Sequence, residues 1–209
     1  IDNWVCSDID GTSFDVGLLR HGEPMMDREV IITRRLFNIP TLVMDSIGAG
    51  TGMYVTIDPI TRRITLGPGS AGADPGPVCY NMGNETPTVM DCSLIMGILN
   101  PDNYLGGKLK LDKQRALDRI KSTCSDVLGI DPYYFAEGVY KIINSSMKEH
   151  IRMVLLTRGY SPADYCLLNY GGAGPMHLAG YSEGLPFKGV ATVPWAAAFS
   201  SFGAAAVDL

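Results

Sequence analysis

The clustering of glycine is the feature that most constrains what this chain can fold into. Glycine accounts for 24 of the 209 residues, and many of these collect in four short segments. Glycine adopts backbone conformations closed to other residues and lets another group approach the backbone closely. Such segments are typical of ordered turns around a ligand, although each can also serve only to bend the chain. The four segments are DIDGTSFD at residues 8–15, GAGTG at 48–52, GPGSAGADPGPVCY at 67–80 and NYGGAGPMH at 169–177.

The first half of the chain is predicted to be rich in strands. Short apolar runs with turn residues between them predict strands at 4–9, 14–19, 30–37, 41–44, 53–57 and 63–66. Residues 67–80 are punctuated throughout by glycine and proline, so this segment is predicted to be a loop that is neither helix nor strand.

The second half is predicted to be rich in helices. A short helix is expected at 91–99, and Asp112 is a suitable N-cap for a helix over 113–128. Asp131 and Pro132 begin a longer helix, whose apolar residues recur at three- and four-residue steps until Gly159. Strands at 165–170 and 189–193 enclose a helix at 175–183, which makes the predicted fold class α/β.

Composition excludes several classes of protein. The 17 basic and 22 acidic residues give a formal charge of −5, which argues against nucleic acid as a partner. No run of 18 or more apolar residues is present, which argues against a membrane partner. The five cysteines contain no C-x-x-C pair, which argues against a disulfide framework or a zinc ribbon. We therefore expect a cytoplasmic protein and, because the chain begins without Met, a fragment of a longer polypeptide.

The turn at residues 8–15 offers the groups that bind a polyphosphate and its cation. Backbone N–H groups at Gly11, Thr12 and Ser13 can hold phosphate oxygens, and the carboxylates of Asp8 and Asp15 can hold a divalent metal. The alternative is a plain hairpin turn, in which aspartate and glycine serve only turn geometry.

The segment at residues 169–177 has the form of a strand that leads through glycines into a helix. Gly171, Gly172 and Gly174 would let a nucleotide lie against the backbone, and the helix N-terminus carries a partial positive charge. The segment lacks the spacing G-x-G-x-x-G and is not followed by GKS or GKT, so a tight strand-to-helix connection stays open as the alternative. The three histidines, His21, His150 and His177, show no metal-ligand spacing.

In their order along the chain, these segments resemble the hydantoinase A and 5-oxoprolinase family, which includes ATP-dependent ketone carboxylases. The resemblance covers essentially the whole chain, and SAGADPGP is its most specific part. It rests on DIDGTSFDV at 8–16, IGAGTG at 47–52, GPGSAGADPGPVCY at 67–80, PTVMDCSLIMG at 87–97, YLGG at 104–107, RGYSPADY at 158–165 and YGGAGPMH at 170–177.

The resemblance implies an actin-like ATPase lobe of the ribonuclease-H-like type, spanning residues 1–209 and lacking the N-terminal lobe that would supply a second phosphate loop. The implied cofactors are ATP with Mg²⁺ or Mn²⁺. The implied site has three sets of residues: catalytic Asp8 and Asp10; metal-binding Asp8 and Asp15; and nucleotide-binding Gly11, Thr12, Ser13, Gly171, Gly172, Ala173 and Gly174.

The implied activity is ATP-dependent activation of a carbonyl compound by phosphoryl transfer. VPWAAAFSSFG at 193–203 is similar to the ketone carboxylases of the acetone type, which implies a subunit of a hetero-oligomeric complex that joins a small ketone to bicarbonate. The alternatives are ATP-dependent hydrolysis of a cyclic amide such as a hydantoin or 5-oxoproline, and a non-catalytic nucleotide-binding scaffold. The chain departs from the usual family pattern D-x-G-G-T at Asp10, where a carboxylate would face the phosphates. Asp45 and Gly69 likewise replace a histidine and a glutamate of many family members.

Overall fold

The computed structural model describes residues 2–28 and 30–206. Within these ranges the strands are β1 (Trp4–Ile9), β2 (Phe14–Arg20), β3 (Glu23–Pro24), β4 (Met26–Asp27), β5 (Val30–Ile32), β6 (Arg35–Phe37), β7 (Thr41–Leu42), β8 (Met44–Ile47), β9 (Met53–Ile57), β10 (Ile64–Ser70), β11 (Cys166–Tyr170) and β12 (Gly189–Thr192). The α-helices are α1 (Val89–Ile95), α2 (Lys113–Ile120), α3 (Asp126–Leu128), α4 (Pro132–Leu156), α5 (Gly174–Ser182) and α6 (Phe199–Ala206). The fold is mixed α/β, with a strand-rich first half and a helix-rich second half, as the sequence predicts.

A six-stranded sheet forms the centre, in the order β12-β11-β1-β2-β3, with β8 also paired to β2. β1 runs parallel to β11 and antiparallel to β2, and Asp8 lies opposite both Tyr170 and Asp15. Because β1 and β11 are parallel neighbours, the turns that follow them emerge at the same edge of the sheet. This topology brings together two glycine segments that lie about 160 residues apart in the sequence.

One face of the sheet packs against helices. Val5, Ser7 and Ile9 of β1 are fully buried and alternate with half-buried residues. The adjacent layer contains α4, which is capped as predicted by Asp131 through bonds from the N–H groups of Tyr133 and Tyr134. Its apolar stripe is buried, which explains why this 25-residue helix can be recognised from its sequence period. In the part of the chain that the structure describes, no helix is long and apolar enough to cross a membrane.

Several element predictions are wrong in detail, and the first two concern strands. The single strand expected over 30–37 is a hairpin, β5 and β6, because Thr33 and Arg34 adopt positive φ angles of 49° and 65° between them. The loop expected from Gly67 onward begins later, since β10 continues to Ser70 across a register shift after Leu66. A register shift of this kind lets a strand pass residues that cannot pair regularly.

The helix expected over 113–128 is interrupted. Asp112 caps α2 as predicted, with its side chain accepting from the N–H of Arg115. The helix then widens into a π-turn at Lys121–Ser125 before α3, and Gly129 ends it in the left-handed conformation. Helix α1 begins at Val89, earlier than predicted, because Thr88 is its N-cap.

Candidate functional site

The turns after β1 and β11 meet and are bonded to each other. The N–H of Gly172 donates to Asp10 Oδ1 at 3.0 Å, and the N–H of Ala173 donates to the carbonyl of Ile9 at 2.8 Å. Gly171 has φ of +90°, and a Cβ on it would lie 2.3 Å from Asp8 Oδ1. This approach requires glycine, so the contact between the turns explains the residue type at this position.

The glycine segment at 48–52 completes the same arrangement. The N–H of Thr51 donates to the carbonyl of Asp10 at 3.2 Å, and that of Gly52 donates to the carbonyl of Gly11 at 2.7 Å. Gly50 packs so closely that a Cβ there would lie 2.3 Å from the backbone nitrogen of Thr12. The segment at 48–52 is therefore in direct contact with the first turn.

A cavity of about 490 Å³ opens where the three segments converge. Of the candidate site residues, Asp10, Gly11, Gly172 and Ala173 line it, and Thr51 and Gly52 extend this polar side. Asp8, Thr12, Ser13, Asp15, Gly171 and Gly174 do not line the cavity. A cavity of this size can take a small cofactor or substrate.

Apolar side chains that were not identified from the sequence also line the cavity. Its lining includes Tyr80, Met90, Leu99, Tyr104 and Met176. The hydroxyls of Tyr80 and Tyr104 are hydrogen-bonded at 2.8 Å, and their ring centroids lie 5.7 Å apart. Burial, and then the bond to Tyr104, raise the pKa of Tyr80, so this hydroxyl stays protonated.

The carboxylate of Asp91 fixes the turn that carries Tyr80. It is fully buried and accepts from four donors: the N–H groups of Val78, Cys79 and Thr88 and the hydroxyl of Thr88. These bonds tie the turn that carries Tyr80 to the start of α1. The spacing of Thr88 and Asp91 matches a capping box, which is the signal in the sequence that could have found this residue.

Asp8 lies at the end of β1, beneath the turns. Its Oδ2 accepts from Ser200 Oγ at 2.6 Å, whereas its Oδ1 is buried without a hydrogen-bond partner in residues 2–28 and 30–206. Burial raises the pKa of Asp8, the hydroxyl of Ser200 opposes this rise, and the nearby charges of Asp10 and Asp15 add to it. An additional positive charge at this position would relieve both the desolvation and the repulsion.

Asp15 faces Asp8 across the β1–β2 pair and is bound to hydroxyls. One oxygen accepts from Ser13 at 2.9 Å, and the other accepts from Ser46. No group of three or more His, Cys, Asp or Glu side chains among the described residues could hold a metal ion. Two carboxylates are nevertheless sufficient for Mg²⁺ where substrate phosphates and water supply the remaining oxygens.

The histidines lie away from the cavity lining. His177 is fully buried, its Nδ1 is 3.3 Å from Asn144 Oδ1, and its ring stacks on Tyr140. His150 is also buried, with Nε2 3.3 Å from the carbonyl of Asp45. His21 is exposed.

Comparison with known proteins identifies the family. A family model described as hydantoinase/oxoprolinase matches residues 1–209. The chain belongs to this family. It is 46% identical over 206 residues to the acetone carboxylase beta subunit of Xanthobacter autotrophicus, covering 99% of this chain and 29% of that protein. It is 36% identical over 209 residues to the caprolactamase subunit alpha of Pseudomonas jessenii, covering 100% of this chain and 30% of that protein.

Solved structures of family members have the same fold. A nucleotide-free structure of acetone carboxylase matches with a TM-score of 0.94 and 46% identity, over 100% of this chain and 29% of that one. The ATP-dependent caprolactamase from Pseudomonas jessenii matches with a TM-score of 0.86 and 37% identity, over 97% of this chain and 29% of that one. This hydantoinase/oxoprolinase chain thus spans about three tenths of the length of these relatives.

Proposed function

We propose that this chain forms part of an ATP-dependent enzyme that activates a carbonyl compound by phosphoryl transfer, as the nucleotide-binding subunit of an acetone-type ketone carboxylase. The convergence of the turns after β1 and β11 on one cavity carries this proposal. Asp8 lies next to Gly171 of the second turn. The relatives support it, because one is named as an acetone carboxylase subunit and the structure of another is described as ATP-dependent.

The proposed pose places the two ends of ATP on different sides of the cavity. The phosphates lie toward the turn formed by Gly11, Thr12 and Ser13, of which Gly11 lines the cavity, and the base lies toward the apolar side chains of the lining, including Met176. The N–H groups of Gly11 and Thr12 have no acceptor in the described part of the chain, so they can donate to phosphate oxygens. The Gly171–Gly174 turn shapes the cavity between these two ends.

The fold of the proposed ATPase is an actin-like lobe of the ribonuclease-H-like type. The sheet order, with β1 central, parallel to β11 and antiparallel to β2, supports this assignment. In this proposal a second phosphate loop comes from another lobe, since residues 1–209 contain no second copy of the D-x-x-G-T pattern.

The residues present fit a divalent cation, Mg²⁺ or Mn²⁺, held by Asp8 and Asp15. Both carboxylates lie on the same face of the β1–β2 pair, and Asp8 Oδ1 is buried without a partner among the described residues. When bound, such a cation neutralises negative charge on the phosphate oxygens. In this proposal Asp8 also holds the attacking oxygen nucleophile by its proton.

In the proposed reaction the γ-phosphoryl group passes from ATP to the oxygen of the enol form of a ketone, the bond to ADP breaks, and the enol proton leaves to a base. In a partner subunit a bicarbonate oxygen then takes the phosphoryl group from the enol phosphate, which breaks its P–O bond and leaves the enolate. The resulting carboxyphosphate releases phosphate and carbon dioxide, and the enolate carbon bonds to the carbon dioxide to give a 3-oxoacid. The protein contributes fixed N–H donors and carboxylates that do not reorganise as charge moves. The proposed setting is a hetero-oligomeric complex in the cytoplasm; the relatives are named as subunits.

Substitution of Asp8 tests the proposal. In the full-length protein with its partner subunits, Asp8→Ala should lower ketone-dependent ATP turnover about a hundredfold or more, because a preorganised charge is lost. Asp164→Ala, which removes an exposed carboxylate outside the cavity lining, is the matched control and should keep full turnover. Full ATP turnover by Asp8→Ala would contradict the proposal and favour a nucleotide-binding scaffold.

A second candidate function is ATP-dependent hydrolysis of a cyclic amide. The TM-score of 0.86 to an ATP-dependent caprolactamase favours it. The same residues would then direct phosphorylation to an amide oxygen before water attacks the carbon. Product analysis separates the two functions, since bicarbonate-dependent ATP turnover with acetone indicates carboxylation and turnover with a hydantoin or lactam indicates ring opening.

A further inference from the structure

We propose that Ser200 is a positioning residue that orients the carboxylate of Asp8 for the phosphoryl transfer. The segment that follows β12 turns back across the candidate site and contacts it at several points. The carbonyl of Ala196 accepts from the N–H of Gly171 at 3.0 Å, and Ala197 lines the cavity. The ring of Phe199 packs on Tyr170 with centroids 4.9 Å apart. The backbone on the N-terminal side of Ser200 is thereby fixed against both β11 and the second turn.

The hydroxyl of Ser200 is the side-chain donor to Asp8 in the described part of the chain. Its Oγ donates to Asp8 Oδ2 at 2.6 Å, a distance typical of a strong bond between a hydroxyl and a carboxylate. The other oxygen, Oδ1, faces the α-carbon side of Gly171 and is buried without a partner there. The terminal torsion of an aspartate has a broad energy minimum, so one donor decides how the carboxylate plane is turned.

The orientation of the Asp8 carboxylate decides which of its lone pairs stay available to a ligand. A carboxylate oxygen that accepts one O–H bond keeps a second lone pair, which can face a cation or a bound water. Ser200 would therefore touch Asp8 and not the substrate, and its effect would pass through the direction of the Asp8 lone pairs. The inference rests on the proposed function, in which Asp8 acts at the transferring phosphoryl group.

The chain offers a matched control at the neighbouring position. Ser201 is exposed on the same helix, and Ser200→Ala and Ser201→Ala make the same chemical change one residue apart. Alanine is a favourable helix residue, so neither substitution should disturb α6. Ser200→Thr retains the hydroxyl and serves as the conservative variant.

The experiment uses the full-length protein with its partner subunits and compares the three variants with the wild type. Ser200→Ala should lower kcat about tenfold, on the scale of one hydrogen bond to a charged group, with the KM for ATP changed by less than about twofold. Mn²⁺ binding, followed by electron paramagnetic resonance with a non-hydrolysable ATP analogue, should weaken about fivefold in the same variant, since a less ordered ligand binds less tightly. Ser200→Thr should recover most of both losses, and the thermal midpoints of Ser200→Ala and Ser201→Ala should agree.

Three results would overturn the inference: equal kcat and equal Mn²⁺ affinity for Ser200→Ala and Ser201→Ala, tighter Mn²⁺ binding by Ser200→Ala, or no recovery with threonine. Asp8→Ala distinguishes this failure from that of the proposed function. If Asp8→Ala abolishes turnover while Ser200→Ala behaves as Ser201→Ala, only the positioning role is wrong.

Discussion

The two glycine turns of the site differ in whether their backbone N–H groups already have acceptors within the protein. In the turn after β11, each N–H from Gly171 to Gly174 donates to an acceptor in the protein: the carbonyls of Ala196, Ile9 and Gly171 and the side chain of Asp10. In the turn after β1, the N–H groups of Gly11 and Thr12 have no acceptor in the part of the chain that the structure describes. The turns look alike in the sequence but differ in available hydrogen-bond capacity.

This difference separates two uses of glycine. In the turn after β11, glycine permits the backbone to approach Asp8 and Ile9 closely, so the turn acts through shape. In the turn after β1, a Cβ on Gly11 would meet no atom within 4 Å, so close packing does not explain that residue. We therefore expect the turn after β1 to contribute the donors and charges, and the turn after β11 to hold it in place.

The largest effect should come from adding a methyl group to each turn in separate variants. Gly171→Ala should destabilise the protein by about 3 kcal/mol or more, because the new Cβ would collide with Asp8 and Ile9 at a positive φ. Gly11→Ala should cost less than about 1 kcal/mol, because the space beside it is open. Chemical denaturation of both variants measures these changes. Equal destabilisation by the two substitutions would show that the distinction between the turns is wrong.

A smaller effect is expected at Asp10, which belongs to the first turn and holds the second. Asp10→Asn keeps an oxygen that can accept from the N–H of Gly172 and removes a negative charge beside the cavity. The KM for ATP should fall about threefold to tenfold, because repulsion of the phosphates is relieved, while the unfolding free energy changes by less than about 1 kcal/mol. Steady-state kinetics at fixed Mg²⁺ measures the change.

Asp10→Ala is the companion variant, since it removes both the charge and the acceptor. It should lower the KM similarly but lose stability through the broken contact between the turns. A fall in kcat of two orders of magnitude for Asp10→Asn would instead give Asp10 the catalytic role that the family resemblance implies.

An effect that is confined to low pH is expected at His177, which lies in the helix after the second turn. Burial lowers the pKa of His177 to about 4 from its ordinary value of 6.5, so between these values the unfolded chain binds more protons than the folded one. The stabilisation is complete above pH 6.5 and is lost as the pH falls toward 4. Thermal midpoints of the wild type should therefore fall more over this range than those of His177→Gln, and parallel curves for the two proteins would contradict the prediction.

Elements with strong local signals were predicted well. The N-cap Asp131 and the apolar stripe identified α4, and short apolar runs on either side of the DIDGTSFD turn identified β1 and β2. The errors fall where long-range contacts decide the outcome. The positive φ angles of Thr33 and Arg34 turn the backbone and split one predicted strand into two. Pairing with β9 extends β10 to Ser70, although this stretch contains glycine and proline.

In the candidate site, too, the features with local sequence motifs were expected and those that depend on long-range contacts were not. The convergence of the two main glycine segments was expected from the family resemblance, and the structure brings them into direct contact. The apolar wall of Tyr80, Met90 and Tyr104 was not expected, because its members come from separate segments and have no common spacing. Ser200 was likewise not singled out, since its role depends on a contact with a residue 192 positions away.

The sequence by itself determined where the chain bends, which helices have an apolar face and which family the protein resembles, because caps, periodicity and ordered motifs act over a few residues. Tertiary structure decided which backbone groups are free to bind a ligand. Parallel pairing of β1 with β11 sets Gly171 against Asp8, and only then do the N–H groups of one turn become occupied while those of the other stay available. Hydrogen-bond capacity is local to each residue, but its use depends on which neighbours the fold supplies.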